Sequence, residues 1–143
     1  LKVNVYNSQK QLTVSKESVR ALVKAVLSNE RSSHQETSIY FVTEKAICDM
    51  HEKFFNDPTT TDCISFPLDA KHLGEVFVCP QTAITYAEKN DLNPHDELSL
   101  YVIHGLLHCL GYDDLTAPER RIMRKKEKSC MDLIRSKELT LTP

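Results

Sequence analysis

The sequence predicts an α+β domain of about four strands and about five helices, and three features carry that prediction. Apolar residues alternate with period two in the N-terminal stretch and then recur at helical spacing, so the first part of the chain reads strand, helix, strand, helix. Two short apolar segments, 63–66 and 74–79, follow with a brief connection between them, most simply an antiparallel pair. Everything after residue 79 has helical periodicity only. At 143 residues, 41% hydrophobic and 27% charged, the chain fits one domain, residues 1–143, able to bury roughly two-thirds of its unfolded surface.

Leu1 to Tyr6 alternates apolar and polar and reads as a strand with one buried face. Ser15 can cap the next helix, Glu17 falls in its first turn, and Val19, Leu22, Val23, Val26 and Leu27 form its apolar stripe. The residue three past Ser15 is Ser18, so no full capping box is expected there. Residues 29–36 are polar linker, and Thr37 to Val42 is β-branched and aromatic enough for a second strand. Thr43 caps a helix from Glu44 to about Phe55, with Ala46, Ile47, Met50 and Phe54 as its buried stripe. A loop by composition, residues 56–62, leads to a strand at Cys63 to Phe66 ended by Pro67. After a connection at 68–73, Gly74 to Cys79 is the fourth strand. Pro80 opens a helix through Tyr86 and Ala87, and Pro94 or His95 opens the central one. A last helix begins at Pro118 and runs to about Ser136, with a discontinuous stripe of Ile122, Met123, Cys130, Met131 and Ile134.

Charge and composition exclude some functions. No run of 18 apolar residues occurs, and the first residues alternate instead of forming a basic-then-apolar leader, so neither a membrane span nor a signal peptide is expected and the cytoplasm is the expected location. Lys plus Arg is 18 against 20 for Asp plus Glu, a formal charge of -2, which lacks the bulk signature of a nucleic-acid binder. Any RNA contact has to come from a local patch, and one exists: Arg120, Arg121, Arg124, Lys125, Lys126 and Lys128 lie within nine positions of the last helix. It reads either as a solvated face or as a phosphate-contacting surface. The five cysteines are odd in number with no C-x-x-C pair, so they read as buried reduced thiols.

The chemistry concentrates at residues 102–114. His104 and His108 are four apart, so on a helix their side chains converge from one face on one ion. Gly111 suits the left-handed turn that ends such a helix, and the reversed chain can return Asp113 or Asp114 to the same ion; Asp114 is the chosen third ligand. Two imidazoles and one carboxylate leave the fourth place of a tetrahedral zinc shell for water, as in catalytic sites, and predict one Zn²⁺ per chain. Apolar residues spread nearly all round this helix, so the metal is expected in a cleft.

H-G-L-L-H-C-L-G-Y-D-D at 104–114 closely resembles the H-G-x-L-H-L-x-G-Y-D-H signature of the YbeY family of bacterial endoribonucleases. T-D-C-I-S-F-P at 61–67 looks like that family's P-T-[DN]-V-L-S-F-P segment, and L-G-E-V-F-V-C at 73–79 like its L-G-D-[IL]-x-I-[CS] strand. The resemblance implies a small mixed sheet flanked by helices, a zinc ion, and metal-dependent cleavage of single-stranded RNA. It also implies a role in ribosomal RNA maturation, notably of the small-subunit 3′ end, and in ribosome quality control, with the small subunit or its assembly factors as partners. Three departures stand out. Asp114 replaces the family's third His, which adds negative charge and favours harder divalent metals such as manganese or magnesium. Phe55 stands where the family usually carries an Arg expected to bind phosphate. Glu75 replaces the strand Asp.

Within that reading, Asp62, Glu75 and Asp113 are the candidate proton acceptors beside the ion. Ser65 is a candidate phosphate contact, Phe55 a candidate base-stacking group, and Arg124 and Lys125 candidate phosphate contacts on the basic helix. For Phe54 the core reading is the stronger one. Two rival classes are carried. One is a non-catalytic zinc-binding factor of the ribosome, with the missing Arg marking lost nuclease activity. The other is a metalloprotease, because His104, His108 and Asp114 have the spacing of H-E-x-x-H-x-x-G-x-x-[HD]; Gly105 argues against it, since that class needs Glu there as general base.

Overall fold

The computed structural model describes residues 1–143 and contains the nine expected elements in the expected order. The strands are β1 (Lys2–Asn7), β2 (Glu36–Phe41), β3 (Cys63–Pro67) and β4 (His72–Val78); the helices are α1 (Lys16–Asn29), α2 (Glu44–Phe55), α3 (Pro80–Asn90), α4 (Pro94–Cys109) and α5 (Ala117–Ser136). The strands form one sheet in the order β1-β2-β4-β3. β1 and β4 run parallel to β2, while β3 is antiparallel to β4 with Phe66 opposite Glu75 and Ser65 opposite Val76. The sheet is mixed and the fold is α+β.

Some boundaries move for local reasons. β4 starts at His72, not Gly74, because the Asp69 side chain accepts the backbone N–H groups of Lys71 and His72 and tightens the connection to a short turn. α3 runs on to Asn90, where Asp91 at φ 53° ends it. α5 begins at Ala117 with a full capping box: the Thr116 hydroxyl accepts from the Glu119 N–H, and the Glu119 carboxylate accepts from the Thr116 N–H.

One face of the sheet carries the main core. Val3, Val5, Ile39, Phe41, Val76 and Val78 point to it and meet the apolar stripes of α1, α4 and α5. α4 is buried on most sides, as its composition predicts, with Leu98, Val102, Ile103, Leu106 and Leu107 inaccessible to solvent. All five cysteines are free. The opposite face is only partly covered by α2, through Ile47, Ala46 and Met50. An aromatic row crosses it: Tyr6 stacks on Tyr40, Tyr40 on Phe77, and Phe77 meets Phe66 edge-on. Phe54 extends this row at the ring edge of Phe66 and is 53% exposed, so it is not a core residue; it sits in the last turn of α2, beyond the sheet. Ile122 is likewise exposed and falls outside the buried stripe of α5.

Candidate metal centre

Each local feature of residues 93–116 brings the metal-capable groups together. The Asn93 side chain accepts from the His95 and Asp96 N–H groups and starts α4, with Pro94 first in the helix. At the other end Gly111 takes φ 104°, a backbone conformation that side-chain-bearing residues rarely adopt, and the N–H groups of Gly111 and Tyr112 bond back to the carbonyls of His108 and Leu107. Tyr112 then anchors the reversed chain: its hydroxyl donates to Glu30, the C-cap of α1, and Lys126 of α5 reaches the same carboxylate at 3.1 Å. Past this clamp, the Arg120 guanidinium donates to the Leu115 carbonyl at 3.0 Å and reaches that of Asp114 at 3.5 Å. The turn therefore returns Asp114 to α4 and holds it there.

The resulting triangle fits a metal ion. His104 Nε2 and His108 Nε2 are 3.0 Å apart, and Asp114 Oδ2 lies 3.6 Å from the first and 3.4 Å from the second. Three atoms at these separations share a point about 2 Å from each, the bond length of nitrogen and oxygen ligands to zinc. Asp113 does not join the group.

Glu127 supplies what the ligand spacing alone does not reveal. Its carboxylate is 3.0 Å from His104 Nδ1 and can only accept, so Nδ1 carries the proton and the Nε2 lone pair faces the ion position. Burial pulls the His104 imidazole pKa down, but the hydrogen bond and charge of Glu127, with Asp62 and Asp114 behind it, outweigh burial and raise it. A carboxylate that holds a ligand imidazole in orientation is worth about 10- to 100-fold in metal affinity. Glu127→Gln keeps an acceptor and removes the charge, so zinc affinity should fall by about tenfold, towards the low end of that range. Competition with a chelating dye measures it, and unchanged affinity would show that Glu127 has no hold on the site. The signal for Glu127 was present in the chain: it fills the gap in the α5 stripe, on the same face as Met123, Cys130, Met131 and Ile134.

Two cavities flank the triangle. The larger, about 660 Å³, opens on the His104 side and is lined by Asp62, Glu97, Tyr101, Asp114, Arg120 and Arg124, among others. The smaller, about 360 Å³, opens on the His108 side and is lined by His51, Phe55, Cys63, Ser65 and Asp113. The sequence candidates divide accordingly. Asp62 is at the mouth of the first cavity; Ser65, Phe55 and Asp113 are in the second; Arg124 is in the first.

Glu75 is not brought to the site. Strand side chains alternate, and Val76 is the neighbour that faces α4, so Glu75 points to the opposite face of the sheet, where it accepts from the Tyr40 hydroxyl at 2.9 Å. Burial, helped by this carboxylate, pushes the Tyr40 hydroxyl pKa up to about 12. Lys125 lines neither cavity; it follows Arg124 by one residue and so turns about 100° away round the helix. The basic patch thus separates into cavity-lining Arg120 and Arg124, outward Arg121 and Lys125, Lys126, which is committed to Glu30, and Lys128, which pairs with Asp132.

The protease alternative fails on geometry. A Cβ at Gly105 would lie 2.8 Å from Cys63 Sγ and closer still to Val76 Cγ1, so this position faces the sheet and a carboxylate there would point away from both cavities.

Comparisons with known proteins bear on the family and the fold. A family model described as Endoribonuclease YbeY matches residues 4–135. The chain is 46% identical over 143 aligned residues to the Endoribonuclease YbeY of Protochlamydia amoebophila, covering 96% of this chain and 95% of that one. It is 38% identical to the Chlamydia pneumoniae protein of the same name, covering 99% and 96%. The solution structure of TM1509 from Thermotoga maritima superposes with a TM-score of 0.68 at 22% identity over 94% of this chain and 90% of that one, which supports the fold. No helix is long and apolar enough to cross a membrane. Sequence likeness along nearly the whole length makes this chain a member of the YbeY endoribonuclease family.

Proposed function

We propose that this protein is a zinc-dependent endoribonuclease that cleaves single-stranded RNA and acts in the cytoplasm in ribosomal RNA maturation, at the small-subunit 3′ end, and in ribosome quality control, with the small subunit or its assembly factors as partners. The observation that carries the reading is the convergence of His104, His108 and Asp114 on one point between two open cavities, in a chain of this family. One Zn²⁺ per chain is the expected ion, and the carboxylate leaves room for a harder divalent metal in its place. When bound, it supplies positive charge at a phosphate oxygen and lowers the pKa of a water.

The chain's own residues do the rest. His104, held by Glu127, together with His108 and Asp114 supplies the donors. Asp62 lines the larger cavity with His104 and is the proton acceptor we assign on that side. Asp113 is the corresponding carboxylate beside His108 on the other side, and the Ser65 hydroxyl lining that cavity can donate to a phosphate. Phe55, 56% exposed at that cavity, offers a ring face to a base. Arg120 and Arg124 offer the positive charge that Phe55 does not.

The test is elemental analysis of purified protein together with cleavage of a labelled single-stranded RNA, with and without a chelator. About one zinc per chain is expected, with cleavage lost on chelation and restored by zinc. Zinc at that stoichiometry without cleavage would replace this reading with the non-catalytic ribosome-associated factor; cleavage indifferent to chelation would remove the metal from it.

A further inference from the structure

We propose that the groove between α4 and α5 is the track for the RNA strand on the His104 side of the metal centre, with α5 as its phosphate-binding wall. This rests on the reading of the protein as an RNA-binding nuclease and adds the direction in which the strand runs.

Three observations carry it. The first is continuity. The larger cavity at the metal centre adjoins another of about 330 Å³, and the two share Glu97, Leu100, Arg124 and Glu127. They form one groove that starts at His104 and Asp114 and ends beside Leu92 and Arg135. From Arg120 to Arg135 that is roughly 22 Å of helix at the usual rise, enough for a few nucleotides.

The second is the spacing of charge. Arg120, Arg124, Lys128 and Arg135 all line the groove, at intervals of four, four and seven residues, which places them on one face of α5. None of the six ion pairs in the protein engages Arg120, Arg124 or Arg135, and the Lys128 pair with Asp132 is exposed and correspondingly weak. The Arg124 and Arg135 guanidinium groups are therefore available to phosphates, while Arg120 keeps its charge unpaired but spends Nη1 on the Leu115 and Asp114 carbonyls. Across the groove stand Asp96 and Glu97 of α4, which repel a phosphate backbone; the one carboxylate on the α5 wall, Glu127, is turned to His104 Nδ1, so the exposed guanidinium groups of α5 are the phosphate-binding side. Between the walls Leu92, Leu100 and Met131 give an apolar floor, and the half-exposed Tyr86 ring at the metal end gives bases a stacking surface.

The third is the contrast with the other flank. The cavity on the His108 side contains no Lys or Arg, and Phe55 lines it. In this chain the guanidinium charge near the centre comes from α5 alone, so the strand is gripped on that side.

The test is fluorescence anisotropy of a labelled 2′-O-methyl oligouridine about ten nucleotides long, within the site sizes of single-strand binders, with zinc-loaded protein over a salt series and the oligomer's integrity checked by gel. Arg124→Glu and Arg135→Glu should each weaken binding roughly tenfold at low salt and flatten the log–log salt slope by about 0.7, the value of one single-strand phosphate contact. Lys2→Glu, an equal charge change on β1, should stay within about twofold, because β1 is the sheet edge opposite β3 and α4 packs on β3 and β4, so salt screens a charge there from the groove. All three positions are exposed, and thermal melts check that each variant folds. Arg135→Glu indistinguishable from Lys2→Glu would overturn the track, as would a wild-type protein that does not bind the oligomer. Wild-type binding with the predicted reversals but no cleavage of ordinary RNA would sink the nuclease reading and leave the track standing.

Discussion

Replacing His108 with alanine is expected to empty the metal site and end cleavage while leaving the fold in place. The argument starts from the triangle. With His108 gone, His104 Nε2 and Asp114 Oδ2 remain, 3.6 Å apart, and two donors do not complete the three-protein-ligand shell of a catalytic zinc. Zinc content should fall from about one per chain to near zero after dialysis. The charge stabilisation a metal supplies at a reacting phosphate is several kcal/mol, so cleavage should fall by about a thousandfold or more. The fold should survive because His108 lies at the cleft and is not among the buried core residues; what it loses without metal is its contacts to His104 and Asp114, worth about 1 kcal/mol each. Melting should then separate the two effects. Zinc should raise the wild-type Tm by mass action and leave that of His108→Ala unchanged. A variant that keeps stoichiometric zinc would show that His108 is not a ligand.

That experiment probes a part of the molecule legible from the chain alone, for a physical reason. Residues four apart on a helix share a face whatever surrounds them, and Gly111 followed by Asp114 is a short reversal, so local geometry suffices to nominate the ligand set, although Glu30 holds the turn from 82 residues away. The element order was legible on the same ground, since periods of 2 and 3.6 are local. What was not legible depended on partners distant in sequence. Alternation puts Glu75 and Val76 on opposite faces of β4, but only the packing of α4 decides that Val76 is the one facing the site. The basic run of α5 reads as one patch until α1 takes Lys126 through Glu30, 96 residues away, and α4 leaves Arg124 lining the groove. Phe54 has helical spacing for the core, but no element reaches far enough to cover it. Glu127 is a polar residue in an apolar stripe, and its purpose depends on His104, 23 residues before it.

Gly105→Ala should be among the most destabilising single-methyl changes in this protein, although alanine is the better helix former by roughly 1 kcal/mol. The added carbon has nowhere to go. It would sit 2.8 Å from Cys63 Sγ on β3 and closer to Val76 Cγ1 on β4. Val76 is fully buried and stiff at χ1, so it cannot turn aside without disturbing its own neighbours. Relief requires α4 to lift from the sheet, and overpacking of this kind costs about 1–3 kcal/mol, occasionally more. Both contacts are closer than Cβ atoms normally approach, so the cost lies in the upper part of that range, about 2–3 kcal/mol; after the helix-propensity gain the expected net loss is about 1–2 kcal/mol, a fall in Tm of roughly 3–10 °C for a domain of this size. Function should suffer further than stability implies. His104 and His108 ride on α4, whereas Asp62 and Ser65 belong to the loop and strand beneath it, so lifting the helix separates the ligands from the groups that face the substrate. Cleavage per folded molecule should drop while zinc stays bound, because His104, His108 and the turn to Asp114 move together. Denaturant titration and zinc content read the two effects separately. A variant of unchanged stability would mean that α4 does not rest on β3 and β4 at this glycine, and the placement of both histidines over the cleft would need another cause.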